Sequence, residues 1–204
     1  MNNEYFQVEQ FSISYIWLAV ILAFLLLAGL GWLSFRHLPR EWLLNSFMLY
    51  ILIWKGSYAL FHLSLVLDMP GSLLFFHGGY RGQLLAVGGL LIYWLKVMKY
   101  ETAKFLPYFS ISYLLQFEFV LAILYGRPLL LMMYLTLSFI LISYQYWSFI
   151  PFEWLIVAFL LHLCIQSIFS VIDWKAISFQ ILLVGTSFVV TQLKQSKGAY
   201  DAST

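Results

Sequence analysis

The chain has 204 residues, 63% of them hydrophobic, 20% aromatic and 10% charged, with a net charge of +2 and a mean hydropathy of +0.87. Soluble domains carry about 25% charged residues, so this composition places the chain in lipid and excludes an ordinary water-soluble domain. The basic residues sit in short connections and form no patch, which excludes a nucleic-acid partner, and the single cysteine, Cys164, cannot form an internal disulfide.

A membrane-spanning helix needs about 20 apolar residues. The first ten residues carry Glu4 and Glu9 but neither Lys nor Arg, unlike the positive start of a secretory leader. The apolar run from Ser12 to Phe35 is therefore expected to be a span, and it stops at Arg36, His37, Pro39 and Arg40. Trp42 to Leu67 reads as the second span, with Lys55 and His62 inside it and Asp68 and Pro70 closing it. Gly71 to Arg81 is a loop or re-entrant piece rich in Gly and Phe. Gly82 to Leu95 is a short third span, and Phe105 to Tyr125 a fourth that contains Glu118 and breaks at Gly126, Arg127 and Pro128. Leu129 to Ile150, Trp154 to Ile172 and Ile177 to Leu193 complete the set. The expected fold is all-α: a single polytopic transmembrane bundle of about seven spans over residues 1–193, with a polar, disordered cytoplasmic tail over 194–204.

Positive loop residues face the cytoplasm. One set of connections holds Arg36, Arg40, Lys96, Lys99, Lys104, Lys194 and Lys197, and the other only Arg81, Arg127 and Lys175. The heavier set is assigned to the cytoplasm, which puts the N-terminus outside, the C-terminus inside and the segment around His77 at the outer face. No internal repeat is visible, so the repeat logic of transporters finds no support.

The run Phe75-Phe76-His77-Gly78-Gly79-Tyr80-Arg81-Gly82 is the richest in chemistry. A helix N-terminus presents free N–H groups and partial positive charge, and glycines let a ligand approach the backbone closely. With Arg81 added, the run suits a phosphate at headgroup depth. The unperturbed pKa of a histidine lies near neutrality, so His77 could serve as a general base. A tight glycine turn beside an interfacial histidine is the plainer reading. Lys55, Tyr58 and His62 fall at i, i+3 and i+7 on one helix face. A cation at that depth is costly, so the face is expected to point into the bundle. Glu118 is the expected partner of Lys55, as substrate-site residue or as a structural ion pair. His162 and Gln166, at i and i+4, with Ser170 beyond, suggest hydrogen bonding between helices. Gly88-Gly89 reads as close helix packing, and no metal-ligand or cofactor-binding spacing is present.

At Phe76-His77-Gly78-Gly79 the chain resembles the prolipoprotein diacylglyceryl transferase family. The likeness extends to Phe11-Ser12-Ile13-Ser14-Tyr15-Ile16-Trp17, to Trp54-Lys55-Gly56-Ser57-Tyr58-Ala59-Leu60-Phe61, to Leu124-Tyr125-Gly126, and to Ile177-Ser178 with Gly185. Lys55 stands where the family has an arginine, and Arg127-Pro128 where it has His-Pro. The fourth-span positions that hold arginine, asparagine and glutamate in the family hold Leu115, Gln116 or Glu118, and Ile123 here. Leu129 to Met133 replaces the polar motif that follows, and the sixth-span arginine falls near Gln166 or Ser167.

The resemblance implies a bacterial inner (plasma) membrane protein that transfers the diacylglyceryl group of phosphatidylglycerol to a lipoprotein cysteine, without a cofactor. Its partners would be membrane phospholipid and a prolipoprotein signal peptide. It implies His77 as the catalytic base, with Gly78, Gly79, Arg81, Lys55, Tyr58, Glu118 and Arg127 at the lipid. The departures leave room for a non-catalytic lipid- or lipoprotein-binding relative, and the Lys55–Tyr58–His62 face for a small transporter.

Overall fold

The computed structural model describes residues 5–8, 11–34, 41–71, 78–147, 152–169 and 174–201. Strands β1 (Tyr5–Val8) and β2 (Phe11–Ser14) form an antiparallel ladder with Tyr5 opposite Ser14 and Val8 opposite Phe11. Phe11-Ser12-Ile13-Ser14 alternates apolar and polar residues, the period of a strand. The first helix accordingly begins at Tyr15 and not at Ser12, and beyond this short hairpin the described chain is helical throughout, as expected of an all-α fold.

The described helices are α1 (Tyr15–Ser34), α2 (Glu41–Phe61), α3 (Leu63–Asp68), α4 (Gly79–Val97), α5 (Tyr100–Ala103), α6 (Leu106–Leu124), α7 (Pro128–Trp147), α8 (Phe152–Phe169) and α9 (Trp174–Asp201). Among the described residues three helices are long and apolar enough to cross a membrane: Glu41–Phe61, Leu106–Leu124 and Trp174–Ser196. A rise of 1.5 Å per residue lets about 20 residues cover the hydrocarbon layer. Shorter apolar stretches, Leu18–Gly29, Pro128–Ser138 and Glu153–Ile168, lie in α1, α7 and α8. Helix α4 has comparable length, but Arg81, Gln83 and Lys96 make it more polar.

Other boundaries also depart from expectation, and α4 begins at Gly79, inside the stretch expected as a loop. His62 adopts φ −136° and ψ 46°, which ends α2 at Phe61 and divides the expected second span into α2 and α3. No glycine or proline lies between Tyr58 and Pro70, so the usual kink signals are missing. At the other end, α9 continues through Lys194 to Asp201, helical where a disordered tail was expected. Gln, Lys and Ala in that stretch favour helix, and only Gly198 opposes it.

The chain divides into two compact units, residues 1–37 with 108–172 and residues 38–107 with 173–204. In the second unit α2 packs chiefly on α4, and α9 packs on α4 and α5. The α2/α4 seam is antiparallel. Trp94 Nε1 donates to Ser46 Oγ at 2.9 Å near one end, and Gly78 N donates to Trp54 O at 3.1 Å at the other. On α4 the buried residues Gly82, Ala86, Leu90 and Trp94 recur every four positions, a stripe that widens from glycine to tryptophan. Thr191 of α9 donates to Ala103 O at 2.8 Å and ties α9 to α5.

In the first unit α1 packs on α7, and Tyr15 meets Tyr125 edge-on with ring centroids 5.5 Å apart. Helix α6 ends in a paired cap. Arg127 N donates to Ala122 O at 2.9 Å and Gly126 N to Ile123 O at 3.1 Å, with Gly126 at φ +64°. This is the Schellman arrangement, which needs a residue tolerant of the left-handed region. Pro128 then opens α7, where its missing N–H costs nothing.

Candidate functional site

The start of α4 is built by α2. Trp54 and Ser57 are each 1% exposed and lie on the α2 face that meets α4. Trp54 O accepts Gly78 N at 3.1 Å and Ser57 Oγ at 2.7 Å. Trp54 Nε1 donates to Gly79 O at 3.3 Å. Gly82 N closes the first turn on Gly78 O at 2.9 Å.

The glycines of this run have different tasks. A Cβ on Gly78 would overlap Ser57 Oγ and come within 3.0 Å of Ser57 Cβ and of Gly82 Cα. A Cβ on Gly82 would overlap the same Oγ and reach 3.2 Å from Trp54 O. These two glycines admit the neighbouring helix. Gly79 differs: it sits at φ +58°, where an L side chain is strained, and no described atom lies within 4 Å of where its Cβ would stand. Arg81 is exposed in the first turn, and Tyr80 reaches α9, its hydroxyl 2.9 Å from Ser178 Oγ. The leading N–H groups of any α-helix have no acceptor within it. Gly79 and Arg81 thus bring a residue without a side chain and an exposed cation to one helix end.

Lys55 and Tyr58 lie on α2 beside this turn in sequence register. Lys55 is half-buried, while Tyr58 is buried with its ring 4.8 Å from that of His62. His62 has left the helix and is exposed, so the expected three-residue face is helical only for Lys55 and Tyr58. His77 lies outside the described residues, as does Ser170.

The remaining candidates belong to the first unit. Glu118 Oε1 accepts from Gln166 Nε2 at 3.0 Å, joining α6 to α8. One turn away on α8, His162 is 1% exposed, with its ring 5.8 Å from that of Tyr134 on α7. The hydrogen bonding expected of His162 and Gln166 is present at Gln166, and its partner is the carboxylate expected for Lys55. Arg127 is exposed and lies over the Tyr125 ring at 5.6 Å.

Sequence reasoning gives Trp54 and Ser57 no role at the α4 turn, although a signal for close packing there is present. Gly78, Gly82 and Ala86 recur at four-residue spacing, the small-residue pattern of closely packed membrane helices. Gly89 fits the close packing expected of Gly88-Gly89, since a Cβ there would overlap Ile53 Cδ1. Its neighbour Gly88 has open space. No known protein family, characterised protein or solved structure matches the chain.

Proposed function

We propose that the chain is a multi-pass protein of a bacterial plasma membrane, with seven spans and an outside N-terminus, that handles phosphatidylglycerol in the manner of a prolipoprotein diacylglyceryl transferase. The lipid phosphate binds at the start of α4. The observation that carries this reading is the placing of side-chain-free Gly79, with no described atom within 4 Å of where a Cβ would stand, beside exposed Arg81 in one first turn. Exposed apolar side chains along the helices, such as Leu52, Leu60, Met132 and Ile168, support a lipid surrounding.

In this reading Arg81 holds the phosphate at the start of α4, with Lys55 as a second cation and Tyr58 lining the approach. His77 takes the proton of a lipoprotein cysteine. The thiolate sulfur then bonds to the glyceryl carbon as that carbon's bond to the phosphate oxygen breaks, and the phosphate departs with its glycerol headgroup. Cations at the phosphate stabilise the charge that develops on the leaving oxygen, an effect worth about 100-fold in rate per donor.

A second reading is a relative that binds phosphatidylglycerol or a lipoprotein without turnover. Gly78 and Gly82 favour it, because their free space is taken by Ser57 and not by a ligand. The test reconstitutes the chain in vesicles with headgroup-labelled phosphatidylglycerol and a cysteine-containing signal peptide. Transfer expects release of labelled glycerol phosphate and a heavier peptide, both abolished by His77→Ala. Intact lipid retained by wild type and His77→Ala alike establishes the binding relative. Neither release nor retention rules out both.

A further inference from the structure

We infer that Trp54 and Ser57 are positioning residues for the first turn of α4, setting where Arg81 and the helix N-terminus stand. Trp54 engages two consecutive residues through opposite chemistries. Its carbonyl accepts from Gly78 N at 3.1 Å, and its indole N–H donates to Gly79 O at 3.3 Å. A backbone bond between two helices requires close approach, and the two glycines provide it. Ser57 sets the limit of that approach. Its Oγ fills the volume that a side chain at either 78 or 82 would need, and it is fixed there by its 2.7 Å bond to Trp54 O.

The turn is thus gripped in two directions. Residues 78, 79 and 82 are held by α2, and Tyr80 is held by Ser178 of α9. Arg81, exposed between these holds, inherits its place from them. The functional consequence rests on the lipid-binding reading above, since a misplacement near 1 Å can cost about 100-fold where geometry governs the chemistry. The geometry itself does not rest on it.

Trp94 provides an internal control. It is as buried as Trp54, lies on the same seam and also spends its indole N–H on a bond between α2 and α4, to Ser46 Oγ. The experiment measures amide exchange on the full chain in nanodiscs for Trp54→Phe, Trp94→Phe, Gly82→Ala and the double variant Gly82→Ala with Ser57→Gly. Trp54→Phe is expected to raise exchange over residues 79–84 by about fivefold, the scale of one hydrogen bond. Trp94→Phe is expected to leave that stretch unchanged and to raise exchange near residues 94–97. Gly82→Ala raises exchange at the start of α4 further, and Ser57→Gly added to it recovers most of the loss. Equal responses at 79–84 from both tryptophan variants, or no recovery in the double variant, would overturn the inference. Phosphatidylglycerol affinity measured on the same samples falls with Trp54→Phe and not with Trp94→Phe. A wild type that binds no lipid removes the lipid reading, while the exchange data still decide the positioning role.

Discussion

Two helix seams in this chain are built on opposite principles. Between α2 and α4 the contact is made by leaving side chains out: Gly78, Gly82 and Gly89 let Ser57, Trp54 and Ile53 press close, and a backbone hydrogen bond crosses at 3.1 Å. Between α6 and α8 it is made by long polar side chains, Gln166 donating to Glu118 at 3.0 Å. The first seam has no spare volume and fixes backbone position. The second fixes partner identity but leaves the helices further apart. Added atoms should harm the first, and removed polar groups should harm the second.

The largest effect is therefore expected where volume is added to the glycine seam. Gly82→Ala forces a methyl group into Ser57 Oγ and against Trp54 O, and overpacking of this kind costs about 1–3 kcal/mol. Unfolding in mixed detergent micelles checks it. An unshifted transition would mean that the helices can separate freely. Gly79→Ala tests the other role of glycine. It meets no atom within 4 Å, yet must hold φ +58°, so a loss of about 1–2 kcal/mol comes from the backbone alone. Ser57→Gly, which relieves Gly82→Ala, should give Gly79→Ala no relief.

At the polar seam a double-mutant cycle of Glu118→Leu with Gln166→Leu should give a coupling of about 0.6 kcal/mol, the mean for hydrogen bonds between membrane helices. Zero coupling would remove Gln166 as the partner that matters. The smallest effect belongs to Gly88→Ala. Nothing lies within 4 Å, so the change should be neutral or stabilising by up to about 1 kcal/mol through helix propensity. A loss comparable to that of Gly82→Ala would show that proximity to Gly89, and not contact, sets the cost.

The sequence made some of this legible and hid the rest for identifiable reasons. The α6–α7 turn was plain because Gly126 and Pro128 carry strong, local conformational preferences. The limits of α6 followed from the length of the apolar run between Lys104 and Gly126. The break at His62 was hidden because no residue near it disfavours helix, and the hairpin because its four-residue alternation merges into an apolar run. The division of labour between Gly78 and Gly79 was also hidden, because it depends on which helix lies alongside. Glu118 accepts from the neutral amide of Gln166, a partner that its charge does not single out. Charge names candidates, but packing selects among them.

The central claim is that an anionic phospholipid phosphate binds at the start of α4. It is tested most directly by the affinity of nanodisc-embedded chain for labelled phosphatidylglycerol against phosphatidylcholine, in wild type, Arg81→Gln and Gly88→Ala. A preference for phosphatidylglycerol is expected that Arg81→Gln lowers about tenfold and Gly88→Ala leaves intact, in keeping with the loss of one charged hydrogen-bond donor. Equal affinity for the two lipids, or a preference untouched by Arg81→Gln, would contradict it.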